Sequence, residues 1–132
     1  MKRCLDSWAV LAWLDGDEPA GAAVERVIRR ERPAMSWINL VEVHYRTTRD
    51  HGRREADEVL DELRALVTES LPGINAMKAA STLKAEHPIA LADCFAVALA
   101  TAERAELLTG DPEIIELGDR LPCAVVDLRP KG

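Results

Sequence analysis

The sequence predicts an α/β protein: a three-layer α/β/α domain with a mostly parallel central sheet of four or five short strands. Short apolar segments alternate along the chain with longer segments in which apolar residues recur at helical spacing. This alternation is typical of a parallel sheet covered by helices on both faces. A length of 132 residues and a hydrophobic content of 48% suit one core, so residues 1–132 are expected to form a single domain.

The first half of the chain predicts two strands and four helices. RCLDSW is a short buried strand that ends at Asp6 and turns into a helix through WAVLAWL. Pro19 marks the start of a second helix in PAGAAVERVIRRER, and Pro33 stops it. AMSW follows as a second strand and INLVEVHYRTTRDHG as a third helix, closed by Gly52. An apolar stripe opposite acidic residues predicts the fourth helix, and its members are Val59, Leu60, Leu63, Leu66 and Val67.

The second half predicts the remaining strands and helices. LPGIN is the candidate for the next strand, and AMKAASTLKAEH predicts a helix that Pro88 ends. ALADCFAVALATAERA predicts the helix that contains Asp93. Glu106 to Thr109 predicts a strand that turns at GDP into a short helix, and AVVDL supplies the last strand.

Composition excludes several classes of protein. No apolar run reaches the ~20 residues of a membrane span, and MKRCLDSW meets an acidic residue too early for a secretory signal, so we expect a cytoplasmic protein with no membrane partner. Cys4, Cys94 and Cys123 lie apart in apolar contexts, which argues against disulfides and a thiolate zinc site. A net charge of −6 argues against a large nonspecific nucleic-acid surface, although arginines cluster in RRERP and YRTTRDHGRR.

Two acidic residues lie where predicted strands end. Asp6 closes the first strand, and Asp111 follows the strand ELLT after a single glycine. Each also fits a helix N-cap, an interpretation that Pro112 strengthens for Asp111. In a parallel α/β sheet, the carboxyl ends of the strands border the crevice in which ligands bind. The pattern alone therefore leaves a capping role and a site role open for both carboxylates.

Two further acids occupy the interior of predicted helices. Glu42 shares a helical face with Ile38, Val41 and Tyr45. Asp93 shares one with Val97 and Ala100, the face that a helix in this fold buries. A carboxylate on a buried helical face has no capping role and needs a partner or a cation. These two residues therefore favour a site over a purely structural role.

The four carboxylates are expected to converge at one edge of the sheet. Helices that begin there can project Glu42 and Asp93 towards Asp6 and Asp111, where the charges repel one another unless cations balance them. Mg²⁺ or Mn²⁺ fits such a set, because both are hard ions that prefer oxygen ligands and approach phosphates. The chemistry of such a site is metal-assisted phosphodiester hydrolysis. Asp119, in LGDRLP, fits a loop acid better than a further ligand.

The sequence resembles the PIN-domain ribonucleases. The segments LDSW, NLVEV, ALADCFAVALA and LLTGDPE resemble the four acidic motifs of that family, in order and across essentially the whole chain. By that resemblance the metal-binding and catalytic acidic positions are Asp6, Glu42, Asp93 and Asp111. Ser7 and Thr109 match polar positions that support such a site. The compact size resembles the VapC-type toxins of bacterial toxin–antitoxin pairs.

The resemblance implies a PIN-like fold and a Mg²⁺- or Mn²⁺-dependent endoribonuclease. It further implies the toxin of a type II toxin–antitoxin system, with an RNA substrate, a cognate antitoxin protein and a homodimeric assembly. Two alternatives stay open at this point. A PIN-like module could bind or scaffold RNA through its arginines with little catalysis, or the same metal chemistry could act on DNA or another phosphoester.

Overall fold

The computed structural model describes residues 2–131 and contains a five-stranded sheet in which every pair of neighbours is parallel. The strands, in chain order, are β1 (Arg3–Leu5), β2 (Ala34–Ser36), β3 (Thr68–Ser70), β4 (Glu106–Thr109) and β5 (Val125–Asp127). Their spatial order is β3-β2-β1-β4-β5. The predicted fold class is confirmed, since the sheet is α/β, parallel and five-stranded.

Helices connect the strands. They are α1 (Ser7–Asp15), α2 (Ala20–Arg30), α3 (Trp37–His51), α4 (Arg53–Leu66), α5 (Ile74–Glu86), α6 (Leu91–Glu103) and α7 (Pro112–Leu117), followed by a 3₁₀ turn at Gly118–Arg120. Gly52 ends α3 as predicted. Within residues 2–131, no helix has the length and apolar content needed to cross a membrane.

The sheet separates two apolar layers. Cys4 and Leu107 point to one face, where they pack against residues of α5, α6 and α7. Leu5 and Leu108, the next residue on each strand, point to the opposite face and pack against α1 to α4. Because successive strand residues alternate between faces, these short strands supply both cores and produce three layers.

The predicted third strand is misplaced. LPGIN forms the connection to α5 and that helix's first residues, whereas β3 is the preceding segment TES, paired with Ala34 to Ser36 of β2. Pro72 and Gly73 disfavour a strand interior, and β3 is an edge strand with partly exposed, polar side chains. An edge strand of this kind carries none of the apolar signal by which a buried strand is predicted.

The strand register brings two of the predicted acidic positions together. Leu5 pairs with Leu108, so Asp6 directly follows β1 beside Thr109, the last residue of β4. β2 ends next to β1 and leads into α3, which carries Glu42. The carboxyl ends of β1, β2 and β4 therefore form one edge, and α6 brings Asp93 in its first turn.

Candidate metal centre

Asp6 caps a helix and lies close enough to Asp111 and Glu42 for their charges to act on it. Its Oδ1 accepts a hydrogen bond of 2.8 Å from the backbone N–H of Ala9, which caps α1. Its Oδ2 accepts a short hydrogen bond from the Thr109 hydroxyl. The Asp6 side chain is buried, and the two uncharged donors fix the orientation of its carboxylate.

Thr109 links the two strand-end acids. Besides donating to Asp6, its Oγ1 accepts a hydrogen bond of 3.0 Å from the backbone N–H of Asp111. Asp111 in turn caps α7, because its Oδ1 accepts a 2.9 Å hydrogen bond from the N–H of Glu113. The capping role and the site role are therefore compatible for Asp111, as they are for Asp6.

Glu42 reaches the site through Ser7. The Ser7 hydroxyl donates a short hydrogen bond to Oε1 of Glu42, which joins the first turn of α1 to α3. The predicted reason for its placement is wrong, however, because Val41 and Tyr45 are 53% and 51% exposed. The buried side of α3 is instead formed by Asn39, Leu40, Val43 and Thr47. Glu42 lies at the border of that side, where a carboxylate can stay partly hydrated.

Asp93 is the most isolated carboxylate of the set. Its side chain is 5% exposed, and its Oδ2 has no hydrogen-bond partner among the described residues. The face it shares with Val97 and Ala100 is buried, as predicted. Such an oxygen requires a proton or a cation, since an unpartnered buried polar atom is unfavourable.

Asn39 is a buried polar residue that sequence reasoning missed. Its Nδ2 donates a 3.2 Å hydrogen bond to the carbonyl of Ala92, next to Asp93, and so ties α3 to the first turn of α6. Its Oδ1 is buried without a hydrogen-bond partner in the part of the chain that the structure describes. The signal was available, because Asn39 precedes Glu42 by one helical turn on the side that faces the sheet.

The structure adds a fifth acid, Glu113, to the four predicted ones. Carboxylate oxygens of Asp93, Asp111 and Glu113 lie within 4.8 Å of one another. Asp6 and Glu42 fall outside that group, held by Thr109 and Ser7. Glu113 was missed because an acid in the first turn of a helix is common for reasons of helix polarity alone. Asp119 is exposed and outside the group.

Burial dominates the electrostatics of the centre. Burial first, and then the charges of nearby acids, Asp111 foremost, together raise the pKa of Asp93 from its ordinary 3.8 to about 8. Burial likewise raises the pKa of Asp6 to about 7, although the hydrogen bonds from Thr109 and Ala9 oppose the shift. Within residues 2–131, no lysine or arginine forms an ion pair with any of these carboxylates. Negative charge at this edge is therefore not balanced by the chain itself.

The donor set fits a hard divalent cation. Three convergent carboxylates offer oxygen ligands, and the unpartnered Oδ2 of Asp93 supplies an oxygen that no protein donor satisfies. Mg²⁺ and Mn²⁺ prefer such ligands and keep several waters when bound by a few carboxylates. Both features favour a cation over a purely structural acidic cluster.

The comparisons with known proteins agree with this geometry. The family model of the PIN domain matches residues 3–119, so the chain belongs to the PIN domain family. No curated protein sequence matches the chain. Its fold resembles several solved structures, all at low sequence identity.

Three of these structures match nearly full length. One is a chain of VapBC2 from Rickettsia felis, in a complex bound to a DNA fragment from the VapBC2 promoter. It is 18% identical, with a TM-score of 0.75, and the match covers 98% of this chain and 100% of that one. A toxin–antitoxin complex from Klebsiella pneumoniae contains a chain that is 18% identical, with a TM-score of 0.75 and coverage of 99% and 100%. A chain of DNA-bound VapBC from Salmonella typhimurium is 16% identical, with a TM-score of 0.75, and the match covers 98% of this chain and 99% of that one. At these identities the likeness concerns the fold.

The raised pKa of Asp93 predicts a pH-dependent stability in the absence of metal. Between pH 3.8 and about 8 the folded protein retains a proton that the unfolded chain releases, so the free energy of unfolding falls as pH rises through this range. When the pH is raised from about 5 to about 8 in EDTA, the Tm of Asp93→Asn should therefore fall by less than the Tm of the wild-type protein. One pKa unit is ~1.4 kcal/mol, or roughly 4 °C of Tm in a domain of this size.

Asp119→Asn is the matched control, because it removes an exposed carboxylate outside the acidic group and should keep the wild-type pH response. Equal pH responses in Asp93→Asn and wild type would contradict the assignment of the effect to Asp93.

Proposed function

We propose that this protein is a Mg²⁺- or Mn²⁺-dependent endoribonuclease and the toxin of a type II toxin–antitoxin system. The observation that carries the proposal is the buried, unpartnered carboxylate oxygen of Asp93 beside Asp111 and Glu113. Membership of the PIN domain family supports the same conclusion. A module that only bound RNA would have no use for uncompensated negative charge at its strand ends.

Five carboxylates are proposed to form the metal-binding and catalytic centre. They are Asp6, Glu42, Asp93, Asp111 and Glu113. A divalent cation bound there would lower the pKa of an attacking water and stabilise negative charge on the phosphate. Ser7 orients Glu42, and Thr109 orients Asp6 and the backbone of Asp111. Because all of these donors are uncharged, they fix the oxygens without cancelling the charge that attracts the cation.

Its position on α3, close to Glu42, favours Arg46 for contact with RNA phosphate. Arg29, Arg53 and Arg54 form ion pairs with carboxylates one turn away on their own helices, as expected of solvated helix surfaces. Arg46 lies one turn beyond Glu42 on α3 and forms no ion pair within residues 2–131. We therefore assign Arg46 to phosphate binding near the centre, which positions RNA without performing chemistry.

The proposed partners are a cognate antitoxin and a second copy of the chain, in the cytoplasm. The similar solved structures are described as VapBC or toxin–antitoxin complexes, which supports an antitoxin partner. Exposed apolar side chains support the homodimer. Leu71, Ile74 and Met77 are 79%, 72% and 54% exposed and are close in sequence, at the end of β3 and the start of α5.

Cleavage of defined RNAs tests the enzymatic proposal. Wild-type protein should cut RNA with Mg²⁺ or Mn²⁺ and stop in EDTA, whereas Asp111→Asn should lose about 100-fold or more of the rate, because even the partners of metal ligands affect activity by about 10- to 100-fold. Asp119→Asn removes the same charge outside the centre and should retain the rate. Wild-type protein that binds RNA but leaves it intact with Mn²⁺ would identify a binding module instead, and cleavage of DNA alone would refute RNA as the substrate.

Growth of an expressing bacterial host tests the toxin assignment. Wild-type protein should arrest growth, and Asp111→Asn should not, since arrest requires the acidic centre. Co-expression of the protein encoded by the adjacent small open reading frame should restore growth and yield a stable complex on purification. A host that grows normally, together with a neighbour that does not bind, would remove the toxin assignment and leave the PIN fold untouched.

Sedimentation tests the homodimer. Wild-type protein should sediment as a dimer, and Ile74→Glu with Met77→Glu should shift it towards monomer, because two charges would replace apolar area at the proposed contact. Val41→Glu is the control, as Val41 is an exposed apolar residue of α3, outside the proposed contact. A monomeric wild type, or a double variant that stays dimeric, would contradict this contact.

A further inference from the structure

Gly110 is covered by an aromatic ring from another part of the chain. A methyl group built on its Cα would lie 2.2 Å from Cη2 of Trp8 and 2.4 Å from both Cζ2 and Cζ3. Three nearly equal distances place that methyl over the face of the six-membered ring rather than at its edge. Separations below 3.0 Å do not occur for real side chains, so the ring occupies the space that any residue other than glycine would need.

The backbone gives no other reason for glycine at this position. The glycines with positive φ are Gly16, Gly52 and Gly118, and Gly110 is not among them. An alanine could therefore adopt the main-chain conformation of Gly110, and only the ring of Trp8 excludes it. The close approach of the ring is therefore the reason that glycine fits at this position.

The contact joins the start of α1 to the turn formed by Thr109, Gly110 and Asp111. Gly110 lies between Thr109, which binds Asp6, and Asp111, whose carboxylate belongs to the convergent group. Trp8 follows Asp6 and Ser7 in the chain. Three consecutive residues at the start of α1 thus contact three separate members of the site region, with Asp6 bound to Thr109, Ser7 to Glu42 and Trp8 packed on Gly110.

We propose that Trp8 is a positioning residue of the metal centre, whose indole ring holds the Thr109–Asp111 turn at a fixed distance from Asp6. This inference rests on the proposed metal-dependent function and assigns two further residues to it. Asp111 is only partly buried, and its backbone N–H donates to the Thr109 hydroxyl oxygen within the same turn. The ring supplies a contact from outside the turn, and rigid packing of that kind sets where a metal-binding carboxylate points.

The test is a pair of substitutions read out by Mn²⁺ affinity, measured from the paramagnetic resonance of free Mn²⁺. Gly110→Ala should weaken Mn²⁺ binding by about tenfold or more, the effect of disturbing residues that orient metal ligands. Trp8→Ala removes the ring, so adding Gly110→Ala to that variant should change its Mn²⁺ affinity by less than about threefold, as expected when the partner is gone. Gly73→Ala is the control, because Gly73 has extended backbone and open space around it.

The outcomes separate this proposal from the function on which it rests. Wild-type protein that binds no Mn²⁺ would refute the metal centre, and the positioning role with it. Normal wild-type binding with an unaffected Gly110→Ala variant, or an equal loss whether or not Trp8 is present, would overturn the positioning role alone. If Gly110→Ala does not fold by itself, recovery of folded, Mn²⁺-binding protein in the double variant supports the contact, and no recovery overturns it.

Discussion

Buried carboxylate charge without a counter-ion from the chain is the constraint around which this structure is arranged. Burial raises the pKa of Asp93 and Asp6, and the polar groups placed against the acids are uncharged: a threonine hydroxyl, a serine hydroxyl and a backbone N–H. A nearby arginine would have stabilised the fold and neutralised the site. The chain instead orients the oxygens and leaves the charge to be balanced from outside, as functional sites do when they trade stability for chemistry.

The two strand-end acids show how one side chain can serve the fold and the site together. Asp6 and Asp111 each cap a helix, and each is also part of the proposed metal centre. A cap fixes the carboxylate relative to the backbone of the helix that follows, so the start of the helix determines where the carboxylate lies. The parallel sheet then places these two helix starts side by side, because neighbouring strands end at the same edge.

Sequence reasoning succeeded where local chemistry and burial coincide. The strands β1, β2, β4 and β5 are largely apolar, and the acids that come after β1 and β4 interrupt an apolar pattern. It failed for β3, which is polar because it lies at the sheet edge, and for the face of α3, where Val41 and Tyr45 are exposed. Glu113 and the ring of Trp8 over Gly110 could not be foreseen, since both depend on distances across the fold that periodicity does not carry.

The bond between Thr109 and Asp6 joins residues 103 positions apart, and this separation has a consequence for synthesis on the ribosome. β1 lies between β2 and β4 in the sheet, so it pairs with β4 only after all the residues up to Thr109 have been translated. At ~5–20 residues per second, several seconds separate the emergence of the two halves of the centre. The acidic centre is therefore incomplete while many of the residues between its two halves already exist, and any activity that depends on it begins only after β4 has been made.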